Sequence, residues 1–443
     1  MCATCESGGG KHETVRSMVS ASSAYPRNGT TMTGKIAGID VHKRVLMVAV
    51  EEETGEGEKE GFGLRRFGTT VAELEHLRAC LQNQGVEEIV MESTAQYWKP
   101  VWFTLEGQFR LFLAQAWSNR APRGRKTDFK DAQRLARRHR AGELTLSFVP
   151  DEVQRQMRSL TRRRFQLTRD RVRIQNQVES LLEETRIKLS SVVSDLFGGS
   201  GLRILEALSQ GQCDPHALAS LADARVQCGE EVLREALAAN LGPMHRSLLQ
   251  QHLEMLRLVE TQIEQTAGLM AESMRSQVSE IERLTAIPGI RVLAAQQLIA
   301  EIGPRAAAFA SAPQFCSWGG LAPGRNESAG HNSSSRCPKG NSFLRRTLCQ
   351  IAQAAVRTKN SSFEQKFRRL LPRLGYPKAI WAIARSIAVV VWKILHDGVT
   401  YIERGTPSTP GAIKRRVQRL RKELRALGYS DDLKPLAPEV IVS

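Results

Sequence analysis

Aromatic residues are scarce in this chain: 14 Phe, 6 Trp and 5 Tyr make up 6% of 443 residues. Aliphatic residues must therefore supply the cores, and the length allows two or three of them. Acidic residues are also in deficit. There are 46 Asp and Glu against 63 Lys and Arg, a formal charge of +17, which points to a polyanionic partner. No apolar run approaches the ~18–20 residues of a membrane span. The most apolar stretch, residues 379–395, is broken by Arg385 and Lys393, so no membrane partner is expected. No secretory leader is recognisable. Paired cysteines are missing too. Of the eight, only Cys2 and Cys5 are close-spaced, and no second pair completes a zinc site. Scattered thiols fit a reducing cytoplasm.

What acid there is sits in telling places. Asp40 interrupts the apolar run Ile36-Ala-Gly-Ile-Asp40, and Glu92 closes the run Ile89-Val-Met-Glu92. Both runs read as core strands, where a carboxylate is costly unless something pairs with it. Asp128 and Asp131 lie three apart at a predicted helix start, on one face. Acids at a helix start also complement the macrodipole and need no metal. The strand-borne pair has no such explanation, so a divalent cation on hard oxygen ligands is the expected shared partner.

The surrounding pattern is α/β. Strands are predicted at 36–39, 45–50, 61–67, 86–91 and 110–114, with helices at 71–82, 97–105 and 128–141. In mixed sheets of this kind polar ligands gather at strand ends. Residues 1–34, rich in Ser, Gly and Thr, predict a disordered leader, and 35–150 a first domain. Residues 151–280 predict a coiled-coil connector. Val153, Leu160, Leu167, Ile174 and Leu181 repeat every seven residues, as do Leu249, Leu256, Ile263 and Met270. Such heptads pack either against each other or across a dimer. The insert 197–243 reads as a helical tip. An all-α domain is expected over 281–403, and a basic helix and tail over 404–443.

Basic residues concentrate around these elements. From Arg120 to Arg140 nine Lys and Arg, among them Arg125, Lys126 and Lys130, face only the two acids of the proposed site. The first heptad helix carries Arg163 and Arg164 among eight arginines between residues 151 and 173. A nucleic-acid-facing surface is the expectation, because few acids balance that face. Leu284-Thr-Ala-Ile-Pro-Gly289-Ile is similar to a helix–hairpin–helix, whose Pro-Gly turn can present backbone N–H groups to a phosphate. The segment 319–340 is rich in Gly, Ser, Pro and Asn between strong helices, a composition suited to a functional loop. Ser328, followed by Ala-Gly, is a candidate nucleophile. Ser333, Ser334 and Ser335 compete on composition alone. Arg325, Arg336 and Lys339 in the segment, and Arg345 and Arg346 after it, are candidate phosphate contacts.

Together these motifs resemble one family, the DEDD-type insertion-sequence transposases, which include the Piv-type DNA invertases. The N-terminal match runs through Gly38-Ile-Asp40-Val-His-Lys43, Met91-Glu92-Ser-Thr-Ala-Gln-Tyr97-Trp98 and Lys126-Thr-Asp128-Phe-Lys-Asp131-Ala. The C-terminal match runs through Ile287-Pro-Gly-Ile, Gly320-Leu-Ala-Pro, Glu327-Ser328-Ala-Gly330 and Lys339-Gly-Asn, then Leu344-Arg345-Arg346. The resemblance implies an RNase H-like (RuvC-like) first domain, a coiled coil and a helical serine-bearing domain. It further implies Mg²⁺, as two ions, on Asp40, Glu92, Asp128 and Asp131, with Ser328 as nucleophile. DNA, a structured bridge RNA and a homo-oligomer, a dimer assembling to a tetramer, are the implied partners, and the nucleoid the implied location. Ala95 departs from the pattern, since many relatives have Gly there. Two rival readings stay open. One is a Holliday-junction-type resolvase using metal-activated water. The other is a non-catalytic RNA/DNA-binding architectural protein.

Overall fold

The computed structural model describes residues 34–52, 61–93, 95–119, 128–223, 226–323, 327–328, 331–332, 337, 339–403, 410–428 and 430. The expected leader, Arg125, Lys126, Arg325 and Arg336 lie outside them. Two compact units divide between Asp151 and Glu152, and each is described by itself.

The first unit is a five-stranded sheet with helices on both faces. Its strands are β1 (Lys35–Val41), β2 (Val45–Glu52), β3 (Gly61–Gly68), β4 (Val86–Glu92) and β5 (Arg110–Ala114). They run in the order β3-β2-β1-β4-β5. The pairs β1–β2 and β2–β3 are antiparallel, whereas β1–β4 and β4–β5 are parallel. Parallel neighbours need crossovers, and helices α1 (Val71–Asn83) and α2 (Trp98–Leu105) make them. Thr70 starts α1 by accepting the Glu73 N–H on its side chain.

Side chains alternate along β1. Ala37, Ile39 and Val41 join Ile89, Met91 and the α1 and α2 leucines in the main core. Ile36 faces the other way, with Val90, Leu135 and Ala136, towards α3 (Asp128–Arg140). On this second face Gly38 decides how close α3 can come. A Cβ at Gly38 would lie 2.0 Å from the Ala132 carbonyl oxygen, so only glycine permits the contact. Deeper under α3, the buried Glu88 meets His139 at 2.9 Å and Arg110 at 2.8 Å, which neutralises an acid the sheet has enclosed.

The second unit is almost wholly helical. The long helices α4 (Glu152–Glu184) and α9 (Pro243–Ser273) pack on each other through Leu167, Ile174, Leu256 and Val259. Between them come α5 (Leu189–Val192), α6 (Gly199–Ser209), α7 (Pro215–Ala219) and α8 (Glu230–Ala236). These close a separate apolar cluster around Leu181, Leu205, Leu237 and Leu253. The insert is therefore a folded helical cap. The heptad reading of α4 overreaches at its start. Val153 is exposed and Leu160 half-buried, while Gln154, Met157 and Thr161 are buried. There α4 leaves the α9 seam, and Gln154 donates to the Ala300 carbonyl at 3.1 Å instead.

Helices α10 (Val278–Thr285), α11 (Val292–Ile302), α12 (Ala312–Trp318), α13 (Ser342–Ala355) and α14 (Ser362–Asp397) follow, and α15 (Pro410–Ala426) ends the described chain. Helix α14 bends at Gly375, whose φ of 71° and ψ of 166° are non-helical. By length and composition α14 passes as a membrane span. Its face from Ala379 to Leu395 is buried inside this unit, as a core helix's would be. The turn between α10 and α11 places Gly289 at φ +86°. A Cβ there would sit 2.7 Å from the backbone of Ile351 and Ala355 on α13. Packing thus accounts for this glycine without a phosphate.

Candidate active site

Asp40 and Glu92 lie at the C-terminal ends of neighbouring parallel strands. Ile39 pairs with Met91 in register, so the next residue on each strand brings the two carboxylates side by side on the α3 face. Because Gly38 lets α3 close onto β1, the first turn of α3 delivers Asp128 and Asp131 to the same corner. All four sequence-predicted acids converge there. Burial pushes the Asp40 carboxyl up from its usual value. His42 pulls it down, and the charges of Asp131, Glu92 and Asp128 add to the rise. A cation seated among them would relieve that repulsion.

The four acids are not equivalent. His42 Nε2 lies 3.2 Å from Asp40 Oδ2 and 3.8 Å from Asp128 Oδ2. The ring is 41% exposed, yet Nε2 itself is shielded from water and makes no hydrogen bond of proper geometry. One donor atom from each of Asp40, His42 and Asp128 falls within 4.8 Å of the others. A shielded nitrogen without a hydrogen-bond partner beside two carboxylates is a donor set that fits a divalent ion. The other two acids are held by side chains. Asn119 Nδ2 donates to Glu92 Oε2 at 3.0 Å. Arg134 contacts Asp131 and donates from Nε to the Asn119 carbonyl at 3.3 Å. Glu92, Asn119, Arg134 and Asp131 thus form one hydrogen-bonded chain.

Sequence reading missed His42, Asn119 and Arg134. The first stands just past the end of β1, in the turn His42-Lys43-Arg44, two residues after Asp40. Asn119 had no signal in sequence, since it ends a 3₁₀ turn (Ala116–Asn119) whose course depends on β5 and α3.

Ser328 belongs to the second unit. It lies in a two-residue strand, β6 (Glu327–Ser328), paired antiparallel with β7 (His331–Asn332), Ser328 opposite His331. Both ends of this segment are fastened. A Cβ on Gly340 would lie 2.4 Å from the Gly319–Gly320 peptide, so the two ends touch. Arg345 Nη1 donates to the Gly320 carbonyl at 2.9 Å. Asn341 caps α13 through the Phe343 and Leu344 N–H groups and donates to Glu301 Oε2 at 2.6 Å. Ser333, Ser334 and Ser335 lie outside the described residues.

Known proteins match both halves. An IS110-type DEDD transposase family model matches residues 37–187. A second model, described as transposase IS116/IS110/IS902 family, matches residues 281–368. Together the two segments take in more than half of the chain. The chain belongs to the IS110-type DEDD transposases. A similar protein is a "Probable family 20 transposase" of Pseudomonas aeruginosa, 26% identical over 321 residues, covering 71% of this chain and 85% of the relative. This transposase is therefore an enzyme that acts on DNA.

Its expected nucleic-acid contacts are sorted by the structure. Lys130 is exposed on α3, and Lys339 is exposed beside the serine segment. Arg163 on α4 donates to Gln262 of α9 at 3.0 Å. Arg164 is half-buried, and burial together with the nearby Arg171 charge lowers its pKa. Arg345 is committed to Gly320 and to the Trp381 ring, 4.8 Å away. Arg346 lies between two phenyl rings.

Proposed function

We propose that this enzyme moves an insertion sequence by metal-dependent strand cleavage and exchange through a phosphoserine DNA intermediate. The observation that carries this is the convergence of Asp40, Glu92, Asp128 and Asp131 on the α3 face of an RNase H-like sheet. Asp40, Asp128 and His42 would hold the cation, Mg²⁺ in the cell, with Glu92 and Asp131 completing the negative site. When bound, the metal supplies Lewis-acid polarisation of the scissile phosphate and neutralises developing charge.

The rest is done by the chain. The Ser328 hydroxyl gives up its proton, its oxygen bonds to phosphorus, and the bond from phosphorus to the leaving sugar oxygen breaks as that oxygen takes up a proton. A free serine hydroxyl is a poor nucleophile, so it needs this activated setting. The ester conserves the energy of the broken linkage, and strand exchange reverses the step. Asp40→Asn should abolish Mg²⁺-dependent cleavage and leave DNA binding largely intact. Undiminished cleavage would remove Asp40 from the site.

The acids and the serine stand on separate units, which suits a site shared between subunits of a dimer or tetramer. Support comes from α9. Met244, Leu248, Met255, Leu258 and Leu269 are all exposed. With the exposed Gln251 and Gln265 they follow a 4–3 heptad spacing, interrupted at Gln262, which Arg163 of α4 reaches. A structured RNA of the element would supply target choice by base pairing, which frees the protein from encoding it. RNA sequencing of the purified enzyme checks this, and recovery of only background RNA would refute it. Such a reaction finds its DNA in the cytoplasm, at the nucleoid.

A further inference from the structure

Arginines crowd the junction of α4 with α11 and α13, and most are spoken for. Arg162 binds Glu301 in fork geometry, Nε to Oε1 at 2.8 Å and Nη2 to Oε2 at 2.9 Å. Arg158 lies 3.4 Å from the same carboxylate and donates to the Ala300 and Glu301 carbonyls. Glu301 is 3% exposed, and its carboxylate is matched within the unit by Arg162, Arg158 and Asn341. Arg345 and Arg163 also have internal acceptors.

Arg346 and Arg169 are different. The Arg346 guanidinium lies 3.6 Å from the centroid of Phe165 on α4 and 5.2 Å from that of Phe343 on α13. Arg169 approaches Phe165 at 6.0 Å. The two rings meet edge to face at 6.0 Å. Among the described residues neither guanidinium has a carboxylate partner. Burial, and the charge of Arg169, both lower the Arg346 pKa. Two like charges are thus held together on an aromatic support without an acid between them. Beside Arg346 is a small open cleft walled by Phe165 and Phe343, by the polar side chains of Gln297, Thr347 and Gln350, and by the Arg162–Glu301 pair.

We propose that Arg346 and Arg169, braced by Phe165 and Phe343, form a binding site for a phosphodiester of a nucleic-acid strand. A guanidinium held over a ring loses little further freedom on binding, and its planar fork matches the two free oxygens of a diester. An arginine placed only for packing would be matched internally, as Arg345 is by Gly320 and Trp381. A strand reaching this site supplies the negative charge that the pair lacks. The inference rests on the nucleic-acid reading of the preceding section, and names where α4 and α13 would meet the strand.

The test is a salt series of binding to labelled single-stranded RNA, single-stranded DNA and duplex DNA. It uses the full-length enzyme, Arg346→Gln, Arg169→Gln and Arg346→Lys, with thermal unfolding recorded for each. Removing one phosphate contact should lower the log–log salt slope by about 0.7 on single strands or 0.9 on duplex. Both glutamine variants should show this drop. Arg346→Lys, which keeps the charge, should keep the slope. Arg169 is exposed, so Arg169→Gln should unfold at the wild-type temperature and stays informative if Arg346→Gln folds poorly. A drop confined to RNA assigns the strand to RNA, and one confined to DNA assigns it to the substrate. Wild-type slopes in both glutamine variants on all three nucleic acids would overturn the site, with or without a fall in unfolding temperature. A flat salt response of the wild-type enzyme would instead sink the nucleic-acid reading itself.

Discussion

His42 shows how a single side chain can set a site apart from a generic acid cluster. Its shielded Nε2 faces Asp40 and Asp128 and finds no proper hydrogen bond. If it is a ligand, His42→Ala should weaken divalent-metal affinity by about tenfold or more, the size of effect seen when groups that orient or tune metal ligands are removed. Calorimetric titration with Mn²⁺ or Mg²⁺ measures this, and unchanged affinity would leave His42 as a bystander. At this scale the sequence was legible wherever a residue broke its local rule. An acid in an apolar strand, as at Asp40 and Glu92, signals itself. Asn119 and Arg134 break no rule in sequence, and their roles exist only once β5 and α3 are in place.

At the scale of elements, the approach of α3 to β1 decides whether the acids meet. Gly38 stands at that contact, and the obstacle to any side chain is backbone, the Ala132 carbonyl, which cannot swing aside. Gly38→Ala should cost about 1–3 kcal/mol, the usual range for overpacking a filled core. Denaturant unfolding of the variant measures it, and a wild-type midpoint would show that α3 yields freely. The sheet and its crossover helices were readable from short β-branched apolar runs and from apolar residues at helical spacing. Of the heptad residues, Leu167 and Ile174 of α4 meet Leu256 of α9. Before Leu167, α4 answers to α11 through Gln154 and Arg158. A seven-residue repeat cannot disclose a change of partner midway along a helix. Gly289 is similar. Pro-Gly announced a turn, but only the packing of Ile351 and Ala355 shows why glycine is required.

At the scale of the whole molecule, the acids stand on the first unit and Ser328 on the second, with α4 and α9 between them in sequence. The exposed Met and Leu stripe of α9 is the surface that would bring two copies together. Leu258→Glu should therefore lower the solution mass measured by light scattering, because a charge on a heptad seam opposes its burial. An unchanged mass would place the subunit contact elsewhere.

The account turns on a serine ester formed at the acid site. The most direct measurement is the yield of denaturation-resistant protein–DNA adduct formed in Mg²⁺ by the wild type, Asp40→Asn and Ser328→Ala. The account predicts an adduct for the wild type alone, with the phosphate mapped to Ser328. An undiminished adduct in Ser328→Ala, or cleavage by the wild type with no adduct at all, would contradict it.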